Sequence, residues 1–204
     1  MRSSPESSEV HHTSPVDRML TASVLLAPTA TLASTLLFAA RGWDDATAGA
    51  VRVIAGVLDF LLVVRLVTWL EDAPRVAAAV LGIGALGAAG WVAYGINTIE
   101  TSLGNTDLVD VSGAATIIKP LGLCWPLSLV IVGVTLLSTR RVPMGSGAAI
   151  TAAGLLLPIS RIGNIWQLAI IVDVLLLVGL LSAVAKPRDR DSSEGARLRA
   201  TAAA

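Results

Sequence analysis

The chain of 204 residues is 54% hydrophobic, and its mean hydropathy of +0.74 is too high for a soluble domain of this size. Its 15 basic and 15 acidic residues cancel, so the net charge points to neither nucleic acid nor an acidic partner. The single cysteine, Cys124, excludes a disulfide within the chain. These values predict an integral membrane protein that is embedded in the lipid bilayer.

Six apolar segments follow one another between two polar tails, and each is long enough to be a membrane-spanning helix. Residues 1–18 are predicted to be a disordered cytoplasmic tail, and residues 186–204 a disordered basic cytoplasmic tail. Residues 19–185 form the transmembrane domain. Its predicted spans are 19–40, 50–70, 76–98, 114–138, 147–162 and 165–185. The fold class is therefore all-α, a polytopic membrane helical bundle of about six transmembrane helices.

Three spans have distinctive compositions. Span 3 is dense in glycine and alanine, which let helix backbones approach closely, either within one subunit or at a dimer seam. Span 4 contains Pro120 and Pro126, which predict a kinked or locally opened helix. Span 5 is short and contains Pro158, so a re-entrant hairpin is the alternative to a full crossing.

The distribution of basic residues predicts the orientation. The odd-numbered connections carry only Arg41, an acidic loop without lysine or arginine, and Arg161. The even-numbered connections and the tails carry most of the remaining arginines, including Arg140 and Arg141. The positive-inside rule then places both termini in the cytoplasm, with the protein in the inner (plasma) membrane of a bacterium. A re-entrant span 5 would leave the basic C-terminal tail outside, which favours six crossings.

Two aspartates lie near the centres of long apolar runs, Asp59 in span 2 and Asp173 in span 6. Placing a carboxyl group at this depth in the bilayer costs free energy, so the group should face protein or a water-filled cavity. Similar residues follow both aspartates, which suggests either a duplication with parallel topology or chance similarity in sequence rich in leucine and valine.

Two hypotheses account for these aspartates. In the structural one, each is protonated or paired with Arg52, Arg161 or Lys119, and it fixes helix packing. In the functional one, the pair binds or relays a proton, a cation or a cationic solute. The candidate intramembrane polar site comprises six residues. These are Asp59, Asp173, Arg52, Lys119, Asn97 and Gln167.

Enzyme motifs are missing from the sequence. It has no His-Glu-x-x-His, no Gly-x-Ser-x-Gly and no P-loop, and both histidines lie in the N-terminal tail. The sequence therefore predicts no catalytic residue, no metal site and no cofactor.

The chain resembles the small six-span membrane proteins of high-GC bacteria. The resemblance rests on Trp125-Pro126-Leu127, on Arg140-Arg141-Val142-Pro143 and on the segment 157–162, and it covers roughly residues 19–186. It implies topology only.

These observations favour a non-enzymatic accessory or interaction protein of the membrane. Its expected partners are the lipid bilayer and either a second copy of the chain or another membrane protein, with no nucleic acid. The alternative is a small-solute or proton/cation-coupled transporter that uses Asp59 and Asp173.

Overall fold

A computed structural model describes residues 14–185, which fold into an antiparallel bundle of six α-helices. The helices are α1 (Pro15–Arg41), α2 (Ala46–Thr68), α3 (Pro74–Ser102), α4 (Ile118–Thr139), α5 (Met144–Ile162) and α6 (Trp166–Ala185). A 3-10 turn, Ala114–Ile117, leads into α4. The predicted all-α fold is confirmed, and the described residues contain no strand.

Helix boundaries differ from the prediction mainly at the starts. Helix α1 begins at Pro15 because Ser14 caps it, its hydroxyl accepting from the amide of Asp17 at 3.1 Å. Residues 15–18 are therefore helical and not part of a disordered tail. Helix α2 begins at Ala46 because Asp45 accepts from the amide of Ala48 at 2.8 Å. The remaining predicted tails, residues 1–13 and 186–204, lie outside the described part of the chain.

Five of the six helices are long and apolar enough to cross a membrane, judged by length and composition: α1, α3, α4 with its 3-10 turn, α5 and α6. Helix α5 is one continuous helix of 19 residues, with Pro158 inside it. Helix α2 has 23 residues and carries Arg52, Asp59 and Arg65. Its exposed face is nevertheless apolar, with Ile54, Val57 and Phe60 on it.

The six helices form a closed ring. Each packs against the next in sequence, and α6 returns to pack against α1. Short connections make neighbours antiparallel, so the bundle has two distinct ends. We call the end with residues 42–45, 103–113 and 163–165 the long-loop end. The opposite end, where residues 14 and 185 and the turns 69–73 and 140–143 lie, is the termini end.

The interior near the termini end is apolar. Buried leucine, valine, isoleucine and alanine side chains from all six helices meet there. Examples, one from each helix in order, are Val24, Leu66, Val80, Leu136, Ile150 and Leu180. We call this region the apolar half of the interior.

Close helix contacts explain the glycines of α3. A Cβ atom on Gly87 would lie 2.3 Å from the backbone nitrogen of Trp125 in α4, and one on Gly95 would lie 2.7 Å from the carbonyl oxygen of Gly49 in α2. These glycines therefore pack α3 within one chain. Gly82 differs, because nothing lies within 4 Å of the position its Cβ would occupy.

Arg141 joins two turns at the termini end. It forms ion pairs with Glu71 at 2.9 Å and Asp72 at 2.5 Å, and donates to the carbonyl oxygen of Trp69 at 3.2 Å. The hydrogen bonds with Asp72 and Glu71 raise the pKa of Arg141 above its ordinary value. The turn after α4 is thereby held against the turn after α2.

Candidate functional site, a buried cluster of charges

The interior near the long-loop end contains a cluster of buried polar side chains from five helices. Thr35 comes from α1, Arg52 and Asp59 from α2, Trp91 from α3, Arg161 from α5 and Asp173 from α6. We call these six residues the polar cluster. Charged residues are seldom buried in this way unless they are paired.

Asp173 is the best-satisfied charge of the polar cluster. It is 1% exposed, and its Oδ2 accepts from the hydroxyl of Thr35 at 2.5 Å and from Nη2 of Arg161 at 3.1 Å. The Thr35 hydroxyl in turn accepts from Nη2 of Arg161 at 2.7 Å. The three side chains therefore form a closed triangle that joins α1, α5 and α6. It holds the first helix of the ring to the last.

Arg52 lies against aromatic rings. Its guanidinium carbon is 4.4 Å from the centroid of Trp91 and 5.7 Å from that of Phe38, and the side chain is 2% exposed. Its Nη2 reaches the hydroxyl of Thr35 at 3.5 Å. The π-face of a tryptophan stabilises a cation, by about 2 kcal/mol or more where water is excluded. Trp91 thus replaces part of the hydration that burial removes from Arg52.

Asp59 is the residue of the polar cluster that lies nearest the apolar half. It is 2% exposed and interacts electrostatically with Arg52 on its own helix and with Asp173 across the ring. Its Oδ2 has no hydrogen-bond partner among residues 14–185. The two central aspartates therefore differ: Asp173 is fully engaged, whereas Asp59 keeps an unused acceptor.

Several buried donors of the polar cluster also lack partners. Within the described chain, no group accepts from Nη1 of Arg52, from Nε1 of Trp91, or from Nε and Nη1 of Arg161. Leaving such a group unpaired in a buried place costs about 1–3 kcal/mol, and more when it is charged. The cluster is therefore suited to hold something further, either water or a ligand with acceptor atoms.

Three residues of the predicted polar site lie elsewhere. Asn97 is buried near the long-loop end, where it donates to Oδ1 of Asp107 at 2.9 Å and accepts from the amide of Leu108 at 2.7 Å. It fixes the loop after α3. Lys119 is exposed and pairs with Asp110 at 3.2 Å, and Gln167 is exposed at the start of α6. Only Asp59, Asp173 and Arg52 of the six predicted residues belong to the polar cluster.

Thr35 and Trp91 were not predicted, whereas Arg161 was named only as a possible partner of the aspartates, and it does pair with Asp173. The helices that carry Arg161 and Asp173 are joined by a connection of three residues, 163–165, so an antiparallel hairpin brings the two side chains together. That spacing was the available signal for Arg161. Thr35 and Trp91 carried no comparable signal, because their roles depend on the closure of the ring.

Metal binding has no support in residues 14–185, where no group of three or more His, Cys, Asp or Glu residues could hold an ion. The comparisons with known proteins add no function. The chain matches no protein-family model, and no curated protein or solved structure matches it.

Proposed function

We propose that the protein is a non-enzymatic integral membrane protein of a bacterial plasma membrane with an accessory or interaction role. In this proposal it crosses the bilayer six times, both termini are cytoplasmic, and the polar cluster lies in the half of the membrane away from the cytoplasm. The observation that carries the accessory role is the burial of apolar side chains from all six helices in the apolar half.

The exposed surface supports the six crossings. Large apolar side chains are at least 40% exposed on every helix of the ring, a surface that water does not favour. One example from each helix in order is Leu25, Ile54, Leu86, Val134, Leu155 and Ile171. Helix α2 shares this pattern and turns its charges Arg52 and Asp59 inward, which supports its counting as a span.

The apolar half supports a binding role and argues against conduction. A path across the bundle from the polar cluster would have to pass Leu62, Leu129 and Val132, each 0% exposed. Helix α4 also contributes no side chain to the polar cluster, although its prolines predicted an opened helix. A solute could therefore reach the cluster from the long-loop end without continuing to the cytoplasm.

The second candidate is a small-solute or proton/cation-coupled transporter that uses Asp59 and Asp173. One observation favours it, namely the unpartnered Oδ2 of Asp59 at the boundary between the polar cluster and the apolar half. A transporter would need a second conformation in which the apolar half opens.

Reporter fusions test the topology. Fusions after Arg75, Arg141 and Lys186 should report the cytoplasm, and a fusion near Asp107 should report the opposite side. A C-terminus outside the cytoplasm would overturn the six crossings and leave α5 as a re-entrant segment.

Cysteine labelling separates the accessory role from transport. In a Cys124→Ala background, Val132→Cys lies in the apolar half and Ser138→Cys lies exposed near the end of the same helix. A membrane-impermeant maleimide applied from the cytoplasmic side should label Ser138→Cys and leave Val132→Cys unmodified. Labelling of Val132→Cys at a comparable rate would show an inward-open state and favour the transporter.

A further inference from the structure

The unpartnered atoms of the polar cluster are mostly donors. Nη1 of Arg52, Nε1 of Trp91, and Nε and Nη1 of Arg161 are all nitrogen atoms that carry hydrogen. Among the unpartnered atoms of the cluster, only Oδ2 of Asp59 is an acceptor. A ligand that satisfied this set would have to present several acceptors at once.

The two guanidinium groups converge on the same neighbours. Nη2 of Arg161 and Nη2 of Arg52 both point at the hydroxyl of Thr35, at 2.7 and 3.5 Å. Their guanidinium carbons lie 5.7 and 4.4 Å from the ring centroid of Trp91. The free donors are therefore held around one place in the bundle and are not scattered along it.

The carboxylates of the cluster do not use these donors. Asp173 pairs with Nη2 of Arg161 alone, which leaves the other two nitrogens of that guanidinium free. None of the ion pairs within residues 14–185 includes Arg52. A buried arginine without an ion-pair partner is the arrangement expected of a site that awaits an anion.

Arg161 lies where a ligand would enter the polar cluster. It is the residue before the last of α5, at the long-loop end, and its side chain is 13% exposed, whereas Arg52 is 2% exposed. The residues that follow, 162–167, are all exposed. An anion arriving at the long-loop end would meet Arg161 first and Arg52 behind it.

We infer that Arg52, Arg161 and Trp91 form a binding site for a compact oxyanion, a phosphate or carboxylate group, entered from the long-loop end. The inference rests on the proposed function in taking the polar cluster as the functional region. The same chemistry could come from a free anion or from the headgroup of an anionic phospholipid. Guanidinium groups bind both through paired N–H donors.

Thermal unfolding of the purified full chain tests the site with defined probes. Wild-type protein is measured in detergent at constant ionic strength with sodium chloride, sodium phosphate or sodium acetate. Phosphate or acetate should raise the Tm above its value in chloride, by roughly 5 °C at a hundredfold excess over Kd. A parallel series in nanodiscs compares phosphatidylcholine alone with added phosphatidylglycerol. A shift with phosphatidylglycerol but not with free anion assigns the site to a lipid headgroup.

Arg52→Gln and Arg65→Gln form a matched pair, because both replace an arginine of α2 and Arg65 pairs with Asp17 at the other end of the bundle. Arg52→Gln should weaken binding at least about tenfold, and Arg65→Gln should leave it unchanged. If Arg52→Gln fails to fold, Arg52→Lys and Trp91→Phe replace it, with weaker binding expected for both. Equal Tm values in all three salts and both nanodiscs, or equal losses in the two arginine variants, would overturn the inference. Topology and labelling results do not enter this outcome, so the two proposals fail separately.

Discussion

The interior near the termini end is filled by leucine, valine, isoleucine and alanine, whereas the interior near the long-loop end holds two arginines and an aspartate within 3.5 Å of one threonine hydroxyl. Both regions are excluded from solvent by the same six helices. The apolar half depends mainly on shape, since its leucine, valine, isoleucine and alanine side chains need no directional partner. The polar cluster depends on orientation, and it retains unpartnered donors.

This difference indicates which part of the interior can bind a further group and which part stays closed. Packing in the apolar half rests mainly on apolar contacts, so it suits the part of the bundle that stays closed. The polar cluster instead holds charged donors without a partner among residues 14–185, and these donors are the basis for inferring a bound group there. Substitutions that disturb the apolar packing of one region or the charged side chains of the other should therefore differ in their effect on stability.

The strongest test places a charge in the apolar half. Leu136→Asp puts a carboxylate among side chains that offer it no partner, and we expect the free energy of unfolding to fall by about 3–5 kcal/mol. Ser138→Asp, exposed near the same end of α4, is the control and should change it by less than about 1 kcal/mol. Denaturation in mixed micelles, followed by circular dichroism, measures both. Equal stability of the two variants would show that the apolar half is hydrated.

A smaller effect is expected from a substitution that disrupts the close contact between α3 and α4. Gly87→Ala would bring a Cβ atom to 2.3 Å from the backbone of Trp125, so the helices must separate. We expect a loss of about 1–3 kcal/mol in the free energy of unfolding. Gly82→Ala on the same helix meets nothing within 4 Å and should be neutral or slightly stabilising. A neutral Gly87→Ala would mean that α3 and α4 are not in close contact in the membrane.

The two aspartates should respond unequally when each is neutralised. Asp173→Asn removes the carboxylate that Arg161 and Thr35 share, so we expect a loss of about 2 kcal/mol. Asp59→Asn removes a carboxylate whose Oδ2 has no partner within the described chain, so we expect a change below about 1 kcal/mol. Unfolding midpoints of both variants give the comparison. A larger loss for Asp59→Asn would mean that Asp59, not Asp173, organises the cluster.

The smallest effect is expected at the termini end. Arg141→Gln removes ion pairs with Glu71 and Asp72, and we expect a loss of about 1 kcal/mol that shrinks in high salt. Because the hydrogen bonds with Asp72 and Glu71 raise the pKa of Arg141, its contribution is fully present at neutral pH and is lost only in strong alkali, as the pH rises through that raised pKa. Arg140→Gln, at an exposed neighbouring position, is the control. If the loss in the free energy of unfolding persists in high salt, Arg141 stabilises the turn by packing and not by its charge.

The length of the apolar runs was sufficient to predict the six helices, because each run is bounded by polar residues. Helix starts were less predictable, since they depend on single caps such as Ser14 and Asp45. The burial of Asp59, Asp173 and Arg52 could be predicted, because exposing a charged side chain to lipid costs free energy. Lys119 and Gln167 were misplaced because both lie near helix starts, where a side chain can turn outward as readily as inward.

Thr35 and Asp173 are separated by 138 residues, so the hydrogen bond between them can form only after α6 has been synthesised. If the chain is inserted into the membrane as proposed, α2 leaves the translocon with Arg52 and Asp59 while the carboxylate of Asp173 is still untranslated. The helix that carries Arg52 and Asp59 is thus the second to be inserted, and α1 and α3 would have to shield it until the ring closes. A ribosome stalled before α6 would leave Arg52 facing an open seam. The polar cluster would therefore be the last part of the protein to mature, and truncated chains would be exposed to membrane quality control.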